Sequence, residues 1–466
     1  MNAALSSVEV SSAAGDPGML AGAARLAAAY LQQIGSRRVF PSADDIRALD
    51  QLGGALPEEP APPGVVVGLL DRIGSAATVG LGGGRYFGFV NGGVLPSALA
   101  ADWIASAWGQ NVALRVMSPA ATALEDTALR WVVEILGLPE SCGGALVTGA
   151  TMGNFTGLAA ARHALLERAG WDVENDGLFG APPLKVIVGD EVHVSVTKAL
   201  GMVGLGRQRV RRVPVDGQGR ILVDMLPPLD DRTIVCIQAG NVNTGAFDPA
   251  REICLRAREA NAWVHVDGAF GIWAAASPSH RYLTDGFANA DSWSTDAHKW
   301  PNAGYDCGIA LVRDPRALRS AMSVTSSYFN TSESREPAQY GPDMSRRARG
   351  VVLWSALRSL GRSGLTALID RTCRHAQAFA AGLRNHGYEI LNDVVINQVL
   401  VSFGSPAVTR RVVDGVQQDG VCWCGITEWQ GHTAMRISVS SWATTREDVE
   451  TSIAAIHRIA RECQDR

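Results

Sequence analysis

The chain has 466 residues, of which 47% are hydrophobic and 19% are charged, with 50 Gly and 21 Pro. This composition indicates a folded globular protein with room for about three compact units of ~150 residues, and it excludes disorder, collagen and coiled coil as overall descriptions. Lys and Arg number 42 and Asp and Glu 46, so the net charge of −4 argues against nucleic acid or an anionic membrane as a partner.

The N-terminus and the cysteines indicate the compartment. Residues 1–18 lack a basic segment followed by an apolar one, and no run of about 18 apolar residues occurs. Eight cysteines are too few for a disulfide scaffold, and the Cys422-x-Cys424 pair, which has no second ligand pair nearby, predicts buried thiols rather than a zinc site. We therefore expect a reduced, cytoplasmic protein with no structural metal, signal peptide or membrane span.

The first predicted element is a helix from about residue 18 to 34, rich in alanine and other helix formers. Such a helix either serves as a dimer arm or caps its own domain. A Pro-rich connector follows from Leu56 to Gly64, and we assign residues 1–75 to an N-terminal helical arm and dimerisation segment.

The middle of the chain predicts a large α/β domain over residues 76–340. Between about residues 120 and 315, short apolar runs alternate with helical stretches; the runs are GGALVTGA, LKVIVGD, TIVCIQAG, AWVHVDGAF and CGIALVRD. Continuous apolar runs bounded by Gly and Asp are typical of strands buried on both faces, which predicts a parallel sheet with helices on each side. Ligands of such sheets bind at the carboxyl ends of the strands.

A smaller α+β domain is predicted over residues 341–466. A long helical pattern begins near residue 350, the strand candidates NQVLVSFG and AMRISVS follow, and a last helix begins near Arg446.

Polar residues follow several of the predicted strands. The small-residue turn from Thr148 to Asn154 opens a helix and is either a structural turn or a phosphate cradle. Lys299 follows His298 near a strand end, where it is either a desolvated amine nucleophile or a lysine that extends to solvent. Asp267 ends the strand of VHVDGAF.

The set of motifs resembles the pyridoxal 5′-phosphate (PLP)-dependent group II decarboxylases, which include the aromatic-L-amino-acid and glutamate decarboxylases. The resemblance runs from about Tyr86 to the C-terminus. It rests on the Thr148–Asn154 turn, His193 in GDEVHVSVTKA, Asn241 and Asn243 in AGNVNTGAFDP, Asp267 and Lys299, with support from YFGFVNGG, SPAATALED, SRRARGVVLW and MRISVSSWATT.

The resemblance implies the fold-type-I PLP-dependent transferase fold, with a large, mainly parallel sheet domain and a small C-terminal α+β domain. It also implies Lys299 as the lysine that holds the cofactor in a Schiff base, Asp267 as the carboxylate facing the pyridine nitrogen, and His193 as the imidazole stacked on the ring. The further cofactor contacts that it implies are Ala150, Thr151, Ser294, His298 and either Asn241 or Asn243.

The implied reaction is decarboxylation of an L-amino acid to the amine and CO2. Tyr86, Phe87 and Asn91 are candidate substrate-binding residues, and their aromatic character favours an aromatic or apolar side chain. Basic residues do not cluster around them, which argues against an acidic substrate. Arg436 is either a ligand of the substrate carboxylate or a structural arginine.

The resemblance leaves the final steps open. A tyrosine on a mobile loop protonates the product in related enzymes, and the polar segment 323–345 offers Tyr328 and Tyr340. Phe329 beside Tyr328 keeps an oxygen-dependent aldehyde synthase open, because relatives with phenylalanine at the catalytic position yield aldehydes.

Asp296 in Asp-x-His-Lys is similar to the sphingosine-phosphate lyases and archaeal-type tyrosine decarboxylases, so a carbon–carbon lyase also stays open. We expect this carboxylate to turn toward a backbone N–H or a basic partner. A non-catalytic scaffold of the same fold is the alternative outside enzymes. The family resemblance further implies a homodimer whose sites are shared between subunits.

Overall fold

The computed structural model describes residues 17–324 and 334–464, which form two sheets surrounded by helices. The helices are α1 (Pro17–Gln33), α2 (Ala43–Ala48), α3 (Pro63–Leu69), α4 (Pro96–Trp108), α5 (Pro119–Ile135), α6 (Ala150–Arg168), α7 (Val173–Asp176), α8 (Val194–Met202), α9 (Ala250–Glu259), α10 (Pro315–Met322), α11 (Arg349–Asn385), α12 (Pro406–Asp419) and α13 (Arg446–Gln464). The strands are β1 (Gly143–Val147), β2 (Lys185–Gly189), β3 (Val210–Val213), β4 (Thr233–Gln238), β5 (Trp263–Asp267), β6 (Ser292–Asp296), β7 (Gly308–Val312), β8 (Glu389–Ile390), β9 (Gln398–Ser402), β10 (Gly425–Trp429) and β11 (His432–Ser438).

The large sheet has the order β1-β7-β6-β5-β4-β2-β3 and is mainly parallel, which confirms the predicted α/β fold class. Within it β7 runs against both of its neighbours, β6 and β1. The prediction that CGIALVRD adds a parallel strand is therefore wrong. Residues 297–307, which join β6 to β7, contain no crossover helix, so the chain returns antiparallel.

Helices cover both faces of this sheet, as the apolar runs predict. On one face α6, α8 and α10 enclose an apolar cluster that includes Leu158, Val196 and Leu318. On the other face α5, α9 and the first part of α11 pack over a larger cluster. The strands are consequently buried from both sides, except for the edge strand β3, whose Arg211 and Arg212 are exposed.

The C-terminal part contains a small antiparallel sheet of order β10-β11-β9-β8, covered by α11, α12 and α13. α11 kinks at Gly361, where φ is 60°, and this turns the helix from the large sheet toward the small one. Both predicted strands and the last helix are present. The sequence analysis missed α12, although its capping Ser405 and the apolar residues on one face are signals for a helix.

One segment of the large domain belongs structurally to the small sheet. The backbone N–H of Phe87 donates to the carbonyl of Trp423, which immediately precedes β10, and Tyr86 bridges the same residue. The Phe87 ring packs edge to face on Phe379 within the small-domain core. The two sheets are therefore joined beside the carboxyl edge of the large one.

Over residues 17–324 and 334–464, no helix is long and apolar enough to cross a membrane. The same residues contain no group of three or more His, Cys, Asp or Glu arranged to hold a metal ion. All eight cysteines are free, and Cys422 and Cys424 are buried, which confirms the prediction of buried thiols for this pair.

A buried ion pair ties α5 to the start of α11. Glu125 is 0% exposed and its Oε1 accepts hydrogen bonds from Arg346 at 2.9 Å and Arg335 at 3.1 Å. Burial alone would raise the pKa of Glu125, but the two guanidinium groups hold it below its ordinary value. The pair therefore contributes stability above the ordinary pKa of glutamate, and this contribution is lost as pH falls through the lowered folded-state pKa.

We expect Glu125→Ala to lower the free energy of unfolding by about 3–5 kcal/mol at neutral pH, because it leaves Arg346 buried without its carboxylate. Urea unfolding of the apoprotein, followed by circular dichroism, measures the difference. The matched control is Glu428→Ala, which removes the exposed pair with Arg410 and should cost less than about 1 kcal/mol. Equal losses in the two variants would contradict this account of the buried pair.

Candidate active site

The predicted functional residues meet at the carboxyl edge of the large sheet. Asp267 ends β5, Lys299 follows β6, and His193 lies between β2 and α8. The turn at Gly149 links β1 to α6 at the same edge. Parallel strands carry their terminal residues to one edge, so these distant positions in the sequence become neighbours.

The Asp267 carboxylate is 4% exposed and accepts hydrogen bonds at both oxygens. Its Oδ2 accepts from Ser195 Oγ and from Asn154 Nδ2, each at 3.2 Å, and its Oδ1 accepts from the backbone N–H of Ala269 at 3.2 Å. A carboxylate with donors on both oxygens has a fixed orientation and presents a fixed negative charge.

His193 forms the N-cap of α8 and is held by Ser195. Its Nδ1 accepts from the Ser195 N–H at 3.3 Å and lies 2.8 Å from Ser195 Oγ. Burial lowers the pKa of His193, with Asp267 acting in the opposite direction and Lys299 and Arg436 lowering it further. The imidazole is therefore neutral at neutral pH. Asp267, Lys299 and Arg436 lie close enough to His193 for their charges to act on it.

The N-terminus of α6 forms an anion-binding turn that an internal carboxylate occupies. The backbone N–H of Ala150 donates to Asp296 Oδ1 at 2.6 Å, and Asp296 Oδ2 lies 3.1 Å from Lys299 Nζ. The expectation that Asp296 turns toward a backbone N–H or a basic partner is confirmed for both kinds of partner. Thr151, the next residue of α6, is half-buried.

Lys299 and His298 lie on the loop that leaves β6. The Lys299 side chain is 18% exposed. His298 Nδ1 accepts from the Cys307 N–H at 3.2 Å, its ring stacks on Tyr305 with centroids 4.3 Å apart, and burial lowers its pKa. Since Nδ1 accepts, Nε2 carries the proton and faces Asp296 at 3.5 Å.

The other three predicted cofactor contacts have different surroundings. Asn243 Oδ1 accepts hydrogen bonds from Thr427 Oγ1 at 2.9 Å and from Arg436 Nη1 at 3.4 Å, so the side chain of this asparagine faces the Arg436 guanidinium. Asn241 Oδ1 accepts from the backbone of residues 243 and 244 and so stabilises the turn. Ser294 is fully buried and donates to Asn154 Oδ1, which connects it to Asp267 through Asn154.

An aromatic group lies beside Arg436. Tyr86 stacks on Trp423 with ring centroids 5.0 Å apart, and the Phe89 ring is tilted against Trp423 with centroids 5.4 Å apart. Burial raises the pKa of Tyr86 to about 12, which keeps the phenol neutral. Arg436 is half-buried, has no carboxylate partner within residues 17–324 and 334–464, and has its pKa lowered by burial.

Phe87, predicted to bind substrate, instead has 0% exposure and belongs to the small-domain core against Phe379. Residues 86 and 87 point to opposite sides of an extended segment, so burying one ring leaves the other at the site. Asn91 accepts a hydrogen bond from the Tyr305 hydroxyl at 2.7 Å. A side chain at Gly92 would overlap with the carbonyl oxygen of Lys299, so glycine permits this close approach.

Of the two candidate loop tyrosines, the structure describes Tyr340, whose contacts lie away from Lys299. Tyr340 lies 5.1 Å from the guanidinium of Arg335 and packs against the apolar cluster beneath α6 and α10. Tyr328 and the neighbouring Phe329 lie outside the described residues.

Sequence reasoning missed Asn154, Ser195, Tyr305 and Trp423. Asn154 carried a signal, because it is a polar residue on an otherwise apolar face of α6. Ser195 follows His193 by two residues, a spacing typical of local capping contacts. Tyr305 and Trp423 carried no sequence signal, because only tertiary contacts between residues far apart in the sequence bring them to this edge.

The donor set fits the cofactor that the resemblance implies. A helix N-terminus suits a phosphate, the fixed carboxylate of Asp267 suits a protonated ring nitrogen, and the amine of Lys299 suits an aldehyde. The neutral face of His193 suits an aromatic ring. Each group therefore has a counterpart in PLP.

The comparisons with known proteins agree with this fit. Residues 85–404 match the family model of the pyridoxal-dependent decarboxylase conserved domain. The chain is 25% identical over 456 residues to the aromatic-L-amino-acid decarboxylase of Bacillus atrophaeus, covering 93% of each protein. It is 31% identical over 300 residues to the phenylacetaldehyde synthase of a Rosa hybrid cultivar, covering 59% of this chain and 57% of that one.

Among solved structures, the crystal structure of Oryza sativa TDC with PLP and tryptamine has a TM-score of 0.86 at 24% identity. The likeness covers 96% of this chain and 97% of that chain, and it concerns the fold.

We expect Asp296→Asn to tighten PLP binding to the apoprotein about threefold to tenfold at low ionic strength, because the variant removes a negative charge from the anion-binding turn. Fluorescence titration with PLP measures the affinity. Asp314→Asn, an exposed substitution at the N-cap of α10, is the control and should leave it unchanged. Weaker binding by Asp296→Asn would show that the carboxylate assists the cofactor instead of competing with its phosphate.

Proposed function

Because the chain belongs to the pyridoxal-dependent decarboxylase family, it is a PLP-dependent amino-acid decarboxylase, and we propose that its substrate is an L-amino acid with an aromatic or apolar side chain. One observation carries the proposal. Lys299, Asp267 and His193 converge at the edge of the large sheet where Arg436 and the aromatic group of Tyr86, Phe89 and Trp423 also lie.

We propose roles for the residues that would hold the cofactor. PLP, when bound, supplies an electrophilic carbonyl for an amine and a ring that accepts electrons as CO2 departs. Lys299 would hold that carbonyl, and the negative charge of Asp267 would keep the ring nitrogen protonated. His193 would lie against the ring. The N-terminus of α6 with Ala150 and Thr151, together with His298, would bind the phosphate.

The contacts of the two asparagines favour Asn243 over Asn241 as the residue that reaches the cofactor. Asn243 shares its side-chain oxygen with Arg436, whose charge acts on His193. The Asn241 oxygen is already shared by two backbone N–H groups of its own turn. Ser294 would support the cofactor through Asn154 and Asp267.

Arg436 is proposed to bind the α-carboxylate of the substrate. Within residues 17–324 and 334–464, its guanidinium has one long hydrogen bond, to Asn243 at 3.4 Å, so its remaining donors are available to an anion. Among the described residues, Lys299 and Arg436 are the cations that act on His193. If Arg436 binds the α-carboxylate and Lys299 holds the cofactor, neither remains for an acidic side chain.

The aromatic group supports an aromatic or apolar substrate. Tyr86, Phe89 and Trp423 offer flat apolar surfaces on which a ring can stack, and the Tyr86 phenol stays neutral. Asn91 lies next to them through Tyr305. Tyr328 and Tyr340 remain the proposed candidates for returning a proton to the product.

The function is tested by mass spectrometry of the products formed from a panel of L-amino acids by PLP-loaded protein, in air and without oxygen. We expect the same amine in both conditions, with aromatic substrates fastest. Lys299→Ala should retain the circular dichroism of the wild type while losing both the absorption band of bound cofactor and amine formation. An amine formed at an unchanged rate by Lys299→Ala would sink the assigned lysine, and turnover only of acidic substrates would sink the proposed specificity.

An aldehyde synthase is the second candidate function, favoured by the likeness to the phenylacetaldehyde synthase and by the adjacent Tyr328 and Phe329. In the same experiment, an aldehyde formed only in air would establish it. Absence of turnover with every amino acid would instead favour the lyase.

We infer a cytoplasmic homodimer with three parts, namely the arm of residues 1–75, the large domain of residues 76–340 and the small domain of residues 341–466. Eight free cysteines support a reducing compartment.

Large apolar side chains are exposed on α4 and on the segment that follows it; they are Trp103, Ile104, Trp108, Val116 and Met117. A second copy of the chain would cover such a surface, and other residues of α4, among them Asp102 and Ser106, line a cavity together with Tyr305 of the site.

We expect the wild-type protein to sediment as a dimer and the double variant Ile104→Glu with Trp108→Glu as a monomer, because burying two carboxylates in the contact is costly. Sedimentation equilibrium measures the mass. Leu255→Glu on α9, an exposed position with 55% accessibility, is the control and should stay dimeric. A double variant that keeps the dimer mass would contradict this choice of surface.

A further inference from the structure

His265 is a buried imidazole that the proposed function leaves without a role. It lies on β5 two residues before Asp267, so both side chains point to the face of the sheet that α6 covers. The side chain is 0% exposed, and burial lowers its pKa to about 4. The ring is therefore neutral, with one nitrogen donating and the other accepting.

Hydrogen-bond chemistry decides which nitrogen donates. The carboxylate of Asp267 can only accept, so Asn154 must present its Nδ2 to it, at 3.2 Å. The amide oxygen of Asn154 then faces His265 Nε2 at 2.9 Å and accepts a hydrogen bond from it. His265 Nε2 therefore carries the hydrogen.

The other nitrogen completes the chain. His265 Nδ1 lies 2.8 Å from Ser292 Oγ and accepts a hydrogen bond from this hydroxyl group. Ser292 Oγ in turn accepts a hydrogen bond from Trp263 Nε1 at 2.9 Å. The hydrogen bonds from Trp263 through Ser292, His265 and Asn154 to Asp267 thus all point the same way, and the Asn154 amide also donates to Ser195 Oγ at 3.2 Å. A buried chain of this kind fixes the orientation of its members because every alternative leaves a polar group unpaired.

A glycine in α6 leaves space for the imidazole ring of His265. A Cβ at Gly157 would lie 2.7 Å from His265 Cε1 and 2.8 Å from its Nδ1, so only glycine at this position of the helix leaves room for the imidazole. Gly157 lies one helical turn beyond Gly153, whose Cβ would lie 2.8 Å from Ser294 Cβ. The contact between helix and strand is built around His265 and Ser294, and both donate to Asn154.

We propose that His265, through Asn154, is a positioning residue that holds the Asp267 carboxylate toward the ring nitrogen of PLP. The inference rests on the proposed function, in which Asp267 faces that nitrogen. Without the bond from His265, Ser294 alone holds the amide oxygen of Asn154, so the amide is less firmly oriented and the Asn154 donor on Asp267 Oδ2 weakens, which leaves Ser195 as the other donor to that oxygen. The preference of the site for a protonated ring nitrogen then falls.

The test compares the affinity of the apoprotein for PLP with its affinity for the analogue that has carbon in place of the ring nitrogen, both by fluorescence titration. The matched variants are His265→Gln, whose amide nitrogen can take the place of Nε2, and His265→Asn, whose shorter amide keeps only the contact with Ser292. We expect His265→Asn to reduce the preference for PLP over the analogue about tenfold, and His265→Gln to keep it within about twofold.

A purely structural role gives a different result. A His265→Asn variant that weakens both cofactors by the same factor, or neither, would overturn the proposal. Should that variant not fold, Ser292→Ala tests the same chain with a smaller change, since it removes the partner of Nδ1. We expect it to reduce the preference about threefold, and a preference equal to that of the wild type would overturn the proposal.

Asp267→Asn separates this inference from the proposed function. It should abolish the preference for the ring nitrogen by itself, since the charge that faces the nitrogen is gone. If Asp267→Asn keeps the preference, the assignment of Asp267 is wrong. If Asp267→Asn loses it and His265→Asn does not, only the positioning role of His265 fails.

Discussion

The close packing of α6 on the large sheet is the constraint on which the site depends. Gly153 and Gly157 allow this helix to approach β5 and β6 directly, so Asn154 lies between Asp267 and Ser294. The same approach brings the N-terminus of α6 to the carboxylate of Asp296 at the end of β6. A larger residue at either glycine would separate the N-terminal turn of α6 from Asp267 and Ser294.

The site balances its charges within a small volume. Asp267 and Asp296 are buried carboxylates, and Lys299 and Arg436 are the cations that face His193 with them. Asp296 already pairs with Lys299 and with the dipole of α6, so the groups proposed to bind the phosphate and the aldehyde of the cofactor are occupied by a protein side chain. Cofactor binding consequently exchanges one set of ionic contacts for another, and its free energy depends on the difference.

Much of this arrangement could be predicted from the sequence, because it follows from local patterns. Apolar runs bounded by Gly and Asp mark most strands of the large sheet; Asp267 is the last residue of β5, and Lys299 lies three residues beyond the end of β6. The direction of β7 could not be predicted from its own residues, since its apolar run is equally compatible with either direction. The burial of Phe87 depends on a contact with Phe379, nearly three hundred positions away, and neither residue carries a local signal of it.

The substrate side of the site is the part that sequence reasoning resolves least, because two domains build it. Tyr86 comes from the large domain, Trp423 from the segment before β10 and Arg436 from β11, and the backbone contact between Phe87 and Trp423 holds the two domains together. The cofactor side, in contrast, lies on the strand ends of a single sheet. Under the proposed roles, substitutions in the small domain therefore change the substrate side of the site and leave the residues proposed to hold the cofactor as they are.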